Sequence, residues 1–208
     1  MANLTVLRHP LIQEKLTYLR DKRTTSRTFR SLVKEIAGLM VYEITKDLPI
    51  REVEVETPLA KAVGKEVAKE ITLVPIIRAG IEMMSGMLHL IPHARVGHMG
   101  IYRDEESLRP IQYYEKFPPN LKETKVFVID PMLATGGSAL GAIEFLKERE
   151  VEDISFICLL AAPEGVEAVY EKHPEVPIFA AALDERLNER GYIVPGLGDA
   201  GDRLYRTI

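Results

Sequence analysis

The residues best suited to chemistry lie in one stretch, VFVIDPMLATGGSALGAIEFLKE, at 126–148. A buried-strand pattern ends on Asp130, the loop PMLATGGS follows, and a helical pattern begins near Gly137 or Ser138. Gly136 and Gly137 let the main chain approach an oxyanion closely, while Thr135 and Ser138 supply hydroxyl donors. The free N–H groups of a helix start, with the positive end of its dipole, would complete an anion cradle. Asp130 at the mouth would repel phosphate but suits sugar hydroxyls. The combination asks for a phosphorylated sugar. The simpler alternative is a strand–helix turn in which Ser138 is merely the N-cap. The loop has neither G-x-x-x-x-G-K-[ST] nor G-x-G-x-x-G, which argues against a P-loop and against a dinucleotide site.

Three further clusters carry chemistry. In VPIIRAGIEM (74–83), Arg78 stands at a strand tip before Ala79 and Gly80, and its planar fork suits bidentate phosphate contacts. A helix-capping arginine is the plainer reading. In VGHMGIYRDEESLRPIQYYEKFP (96–118), a strand runs into a charged segment with Arg103 and Arg109, and IQYYEK alternates like a returning strand. In RGYIVPGLGDAGDRLYRT (190–207), closely spaced glycines and two aspartates imply a rigid loop that presents main-chain groups to a small planar ligand. Asp202 and Arg203 read equally well as braces of that loop. His89, His93, His98 and His173 show no helical pair with a carboxylate, so packing or surface roles are expected. Cys158 sits inside an apolar run and reads as strand filler. Met83, Met84 and Met87 read as core residues.

These clusters need a scaffold. ITLVPI (71–76), VFVID (126–130), ISFICLLAA (154–162) and VPIFAAAL (176–183) are short, continuously apolar runs. Helical patterns separate them: Ile81, Met84, Leu88; then Ala139, Ala142, Ile143, Leu146; then EGVEAVYEKH at 164–173. Strands apolar on both faces, alternating with helices, predict a parallel sheet covered on both sides. Ligands then bind beyond the carboxyl ends of the strands. Upstream, Leu32, Val33, Ile36, Leu39, Met40 and Ile44 form one helical stripe. REVEVET (51–57) alternates like a half-buried strand, and the stretch after Pro58 reads as a helix or as the return strand of a projecting hairpin.

Composition bounds the answer. The chain has 208 residues, suited to one domain. Its charge, 27 − 31 = −4, disfavours a nucleic-acid partner held by bulk electrostatics. Its longest apolar run is far short of a membrane span. MANLTVLRHP has no apolar core behind a basic head, so no secretory leader is expected, and a reduced, cytoplasmic location is. One cysteine excludes an internal disulfide or a multi-cysteine zinc site.

VIDPMLATGGSA resembles the phosphoribosyl-diphosphate (PRPP) loop of type I phosphoribosyltransferases. The general pattern of that family places two acidic residues after the strand; here Pro131 follows Asp130, as in the uracil phosphoribosyltransferase branch. GYIVPGLGDAGDR closely resembles the uracil-recognition loop of that branch. The resemblance covers nearly the whole chain. It implies a single domain over 1–208 with a central, mostly parallel sheet flanked by helices. It adds a small hood from the N-terminal segment plus 184–208, and a projecting β-arm at 50–70. It implies formation of UMP and diphosphate from uracil and PRPP. The PRPP contacts it implies are Arg78, Arg103, Asp130, Pro131, Met132, Leu133, Ala134, Thr135, Gly136, Gly137, Ser138 and Asp199. The implied uracil contacts are Ile193, Gly198, Asp199 and Ala200, and the implied catalytic groups are Arg78, Arg103 and Asp130. Arg109 and Tyr113 carry less of the resemblance, since a solvated arginine and a packed tyrosine fit them as well. Magnesium would be held mainly through PRPP, with no direct protein ligands. Homodimers are usual in the family, and GTP activates some relatives. Two other classes remain open from the sequence: an RNA-binding regulator on the same fold, and a sensor that binds UMP without turnover.

Overall fold

The structure, a computed structural model, describes residues 3–103 and 110–207, and for 102, 103 and 110–112 the backbone alone. The chain opens with β1 (Leu4–Val6), α1 (Pro10–Arg20) and α2 (Ser26–Ile44). His9 caps α1 through its side chain and Pro10 takes the first turn, where no amide donor is needed. Thr25 caps α2. The buried face of α2 is the stripe expected from its spacing: Leu32, Val33, Ile36 and Met40 are buried, Leu39 and Ile44 half-buried.

Next come β2 (Ile50–Glu56) and β3 (Lys61–Val67), paired from Ile50–Val67 to Glu56–Lys61 as a two-stranded antiparallel sheet of their own. The hairpin reading of 58–70 therefore holds over the helical one. The half-buried reading of 51–57 does not. Both strands are exposed on both faces apart from Val53 and Gly64, because the hairpin pairs with no strand of the main sheet.

The remaining elements build the scaffold. They are β4 (Ile71–Ile77), α3 (Gly80–Leu90), β5 (Arg95–Val96), β6 (His98–Arg103), β7 (Pro110–Lys116), β8 (Lys125–Ile129) and β9 (Met132–Leu133). Then follow α4 (Gly137–Glu148), β10 (Ile154–Ala161), α5 (Pro163–Lys172), β11 (Ile178–Leu183), β12 (Arg186–Leu187), β13 (Ile193–Val194) and α6 (Ala200–Tyr205). The main sheet runs β1-β11-β10-β8-β4-β6-β7, parallel throughout except for the β6–β7 pair. The returning strand read from IQYYEK is β7.

Successive strand residues feed opposite layers. Leu73, Phe127, Ile129, Ile157 and Leu159 pack with α1, α2 and α3 on one face. Val74, Val126, Val128, Phe156 and Cys158 pack with α4 and α5 on the other. All eight residues of β10 are buried. That two-faced burial is why these strands read as unbroken apolar runs. The core face of α3 follows the methionines expected in the core, Met83, Met84 and Met87, more closely than the Ile81, Met84, Leu88 stripe. Met83 and Met87 are buried with Gly80 and Gly86, whereas Ile81, Met84 and Leu88 are half-buried. The reason is close helix crossing: a Cβ on Gly86 would run into the Lys34 carbonyl of α2, so the glycine face turns inward.

Candidate active site

Parallel strands bring their carboxyl ends to one edge, and the candidate residues follow them. β4 ends before Arg78 and β8 ends before Asp130, and the two strands are direct neighbours, Pro75 pairing with Ile129. The Arg78 loop and the 130–138 loop therefore stand side by side. Gly80 has to be glycine, because a Cβ there would strike the Ile129 carbonyl. Arg78 is exposed, and the Ile77–Arg78 peptide is cis.

The 130–138 loop is anchored from below. Asp130 N–H donates to the Ile157 carbonyl at 3.1 Å, and Leu159 and Leu160 N–H donate to the Pro131 carbonyl. β9 pairs with β10, which fixes Met132 and Leu133. Gly136 adopts φ 84°, a left-handed conformation costly for other residues, and it turns the chain into α4. Gly136, not Ser138, is the N-cap, and no side chain caps the helix, so its first amides stay open to a ligand. A Cβ on Gly137 would meet nothing closer than Thr135 Oγ1 at 3.8 Å, so that face of the loop is open space. The strand–loop–helix turn expected of TGGS is present, with its helix start uncapped by any side chain.

The C-terminal segment closes over the same edge. Gly191 lies beside Thr135, its Cβ position 3.6 Å from Thr135 Cγ2. Asp199 is near enough to Asp130 for its charge to raise the Asp130 pKa. Tyr205 Oη donates to the Arg78 carbonyl at 3.0 Å. The segment is more ordered than a bare loop. It holds β13 and α6, and Asp199 caps α6 by accepting from Asp202 N–H at 2.9 Å. Ile193 and Ala200 are buried, whereas Gly198 and Asp199 are exposed. The N–H groups of Gly198 and Ala200 find no acceptor among the described residues.

Electrostatics single out Asp130. Burial, with the Asp199 charge adding to it, pushes its pKa up to about 7 against the pull of the Met132 amide, which donates at 3.4 Å. Burial pushes the Cys158 thiol upward, which leaves it inert. Among the described residues no three His, Cys, Asp or Glu side chains converge as metal ligands.

The braces are where sequence reading fell short. Arg203 does brace the loop, donating to the carbonyls of Leu197, Leu19 and Asp21, with its guanidinium 4.3 Å from the Phe29 ring centroid. Arg20, Asp184, Arg30 and Tyr205 were not foreseen. Arg20 and Asp184 form a forked pair against Gly196, and Arg30 donates to the Leu204 carbonyl at 2.8 Å. An aspartate just past an apolar strand run was the one available signal for Asp184. Arg103 ends β6, with only its backbone described, and Arg109 lies outside the described residues. Tyr113 lays its ring over Gly100 but stays largely exposed.

Residues 6–207 match the family model described as uracil phosphoribosyltransferase. The chain belongs to this family. Relatives named uracil phosphoribosyltransferase from Anoxybacillus flavithermus and Streptococcus pneumoniae are 59% and 57% identical over 208 residues, covering all of each chain. A solved structure of a protein from Aquifex aeolicus is 42% identical, with a TM-score of 0.91 and 98% of each chain covered. An adenine phosphoribosyltransferase from Leishmania donovani shares the fold at 14% identity, with a TM-score of 0.61 over 92% of this chain and 88% of that one.

Proposed function

We propose that the chain transfers the 5-phosphoribosyl group of PRPP to N1 of uracil, giving UMP and diphosphate. The reading is carried by one observation: the 191–205 segment closes on the strand edge that also holds the 130–138 cradle and Arg78. A base and a sugar phosphate held there would face one another.

The chemistry asks little of the protein beyond placement and charge. The C1–O bond to diphosphate breaks, the N1–C1 bond forms, and the uracil N1 proton leaves with the departing diphosphate. Positive charge grows at C1, as in other glycosyl transfers. The main chain of 134–138 takes the 5-phosphate, and Pro131, Met132 and Leu133 hold that loop to β10. Asp130 takes the ribose hydroxyls. Arg78, with Arg103, balances charge on the departing diphosphate. The main chain of Ile193, Gly198 and Ala200 reads the uracil edge, and Asp199 faces the sugar side.

Magnesium fits this site as an ion bound through PRPP. Asp130 and Asp199 are two carboxylates in electrostatic contact, a pairing that favours a nearby cation. Bound there, it would neutralise diphosphate charge. Asp130 and Asp199 would supply the negative charge beside it. We read the protein as a cytoplasmic enzyme; among the described residues no helix is long and apolar enough to cross a membrane. We also read the β2–β3 hairpin as the arm of a homodimer. Leu59 at its tip is 97% exposed and Val63 is 70% exposed, side chains with nothing to pack on within one chain. GTP activation is a further expectation from the family.

The test is turnover. Labelled uracil, PRPP and magnesium should yield labelled UMP, with cytosine, hypoxanthine and orotate inert. Turnover of another base instead of uracil would discard the role given to 193–200. UMP binding without any turnover would favour a sensor.

A further inference from the structure

Four hydrogen bonds close a ring around one glycine. Arg20 Nη2 donates to Asp184 Oδ1 at 2.5 Å, and Arg20 Nη1 donates both to Asp184 Oδ2 at 2.7 Å and to the Gly196 carbonyl at 2.8 Å. Gly196 N–H donates back to Asp184 Oδ2 at 2.9 Å. Both backbone groups of a single residue are thus fixed by one ion pair. The Asp184 side chain is 4% exposed and that of Arg20 25%. Gly196 has φ 61°, and a Cβ there would strike the Ile193 carbonyl, so 193–196 form a tight turn. Arg203 holds the next carbonyl, that of Leu197, to the same end of α1. The turn between Ile193 and Gly198 is therefore pinned at consecutive residues by two arginines.

A buried ion pair is weak as a source of stability, because desolvation offsets its attraction. This one lies directly between the main-chain groups that we assign to the base. Reading a base by main chain works only if donors and acceptors hold still; a loop that shifts can satisfy the wrong base.

We propose that Arg20 and Asp184 are positioning residues for base recognition, holding the 193–198 turn in the geometry that accepts uracil. The proposal rests on the reading that Ile193, Gly198 and Ala200 contact the base. Neither residue touches substrate. The fork is required: a lysine is a point donor and cannot bridge two carboxylate oxygens and a carbonyl in one plane.

The experiment uses the full chain with Arg20→Lys, Asp184→Asn and, as a control, Val169→Ala on the buried face of α5. Wild-type protein must first turn over uracil; if it does not, the base-site reading itself falls. With that shown, the uracil KM in both Arg20→Lys and Asp184→Asn should rise about fivefold or more, the effect of losing a charge-assisted hydrogen bond. The kcat at saturating uracil and the PRPP Kd by calorimetry should stay within about twofold, since the cradle is built on other elements. Val169→Ala should lower Tm and leave the uracil KM alone. A uracil KM raised by less than that in Arg20→Lys would overturn the proposal. So would an equal rise in the PRPP Kd, or the same KM change in Val169→Ala. Should Asp184→Asn not fold, Arg20→Lys decides alone.

Discussion

Tyr205 and Arg78 hold each other across 127 positions of sequence. Tyr205 Oη donates to the Arg78 carbonyl at 3.0 Å, and the Arg78 guanidinium lies 5.7 Å from the Tyr205 ring centroid. One end of the chain thereby fixes the backbone of the arginine assigned to diphosphate. Tyr205→Phe keeps the ring and deletes one hydrogen bond, worth about 1 kcal/mol. The KM for PRPP should rise about fivefold, with the uracil KM little changed. Steady-state kinetics with each substrate varied in turn will show the split, and an unchanged PRPP KM would remove Tyr205 from this role.

Asp130 should write itself into the pH profile. Its pKa of about 7 lies above the ordinary carboxylate range because burial and Asp199 disfavour the charge. Ionised Asp130 is the form that accepts from ribose hydroxyls. The kcat/KM for PRPP should therefore fall as pH drops below about 7 in the free enzyme. Asp130→Asn should lose about 10²-fold or more in kcat/KM and should lose that acid limb too. Retention of the limb in the variant would assign it to another group.

The same carboxylate should act on stability with the opposite sense. Its folded-state pKa is raised, so the native state holds a proton that the unfolded state has released between pH 4 and 7. Stability then declines as pH rises through that window and levels off above it. Asp130→Asn removes the charge and should gain Tm over wild type at pH 8, with the gain shrinking toward pH 5. Melts at the two pH values check the sign.

Adjacent glycines should fail in different ways. Gly136→Ala meets a left-handed backbone and should cost about 1–2 kcal/mol of stability. Gly137 has a helical start and open space at its Cβ, so Gly137→Val should fold. It should weaken PRPP binding by about tenfold or more, because the side chain fills the cradle where charge-assisted contacts form. Calorimetry beside thermal melts separates the two; unchanged PRPP binding in Gly137→Val would refute the cradle.

The arm offers a further check. Leu59→Asp and Val63→Lys change side chains with high exposure and should leave the monomer fold untouched. Sedimentation should show the dimer weakened relative to wild type if the hairpin is its contact.

What could be read from the sequence follows from what each element packs against. β10 and β8 were legible because burial on both faces leaves unbroken apolar runs. The strand–loop–helix turn of 126–148 was legible because Asp130, Thr135 and the glycine pair fall within eight consecutive residues. On α3 the methionines at 83, 84 and 87 were legible as core, but the inward Gly80 and Gly86 were not, since small residues carry no hydropathy signal. The burial of β2 was misjudged because alternation of valine with glutamate reports a half-apolar strand without saying what covers it. Arg20 and Asp184 were missed since their contact spans 164 positions and leaves no local pattern. The base family itself came from resemblance; spacing alone stopped at a phosphorylated sugar.

The sheet order also has a temporal meaning. β4, β8, β10 and β11 can be laid down one beside the next in the order the ribosome makes them. β1 cannot, since its only pairing among the described strands is with β11, Leu4 meeting Ile178. The strand made first docks among the last, and such distant pairing is slow. Until residues 178–180 have emerged, residues 4–6 have no ladder to join. Nascent chains of this protein should therefore hold β1 unpaired until β11 has been made, late in synthesis.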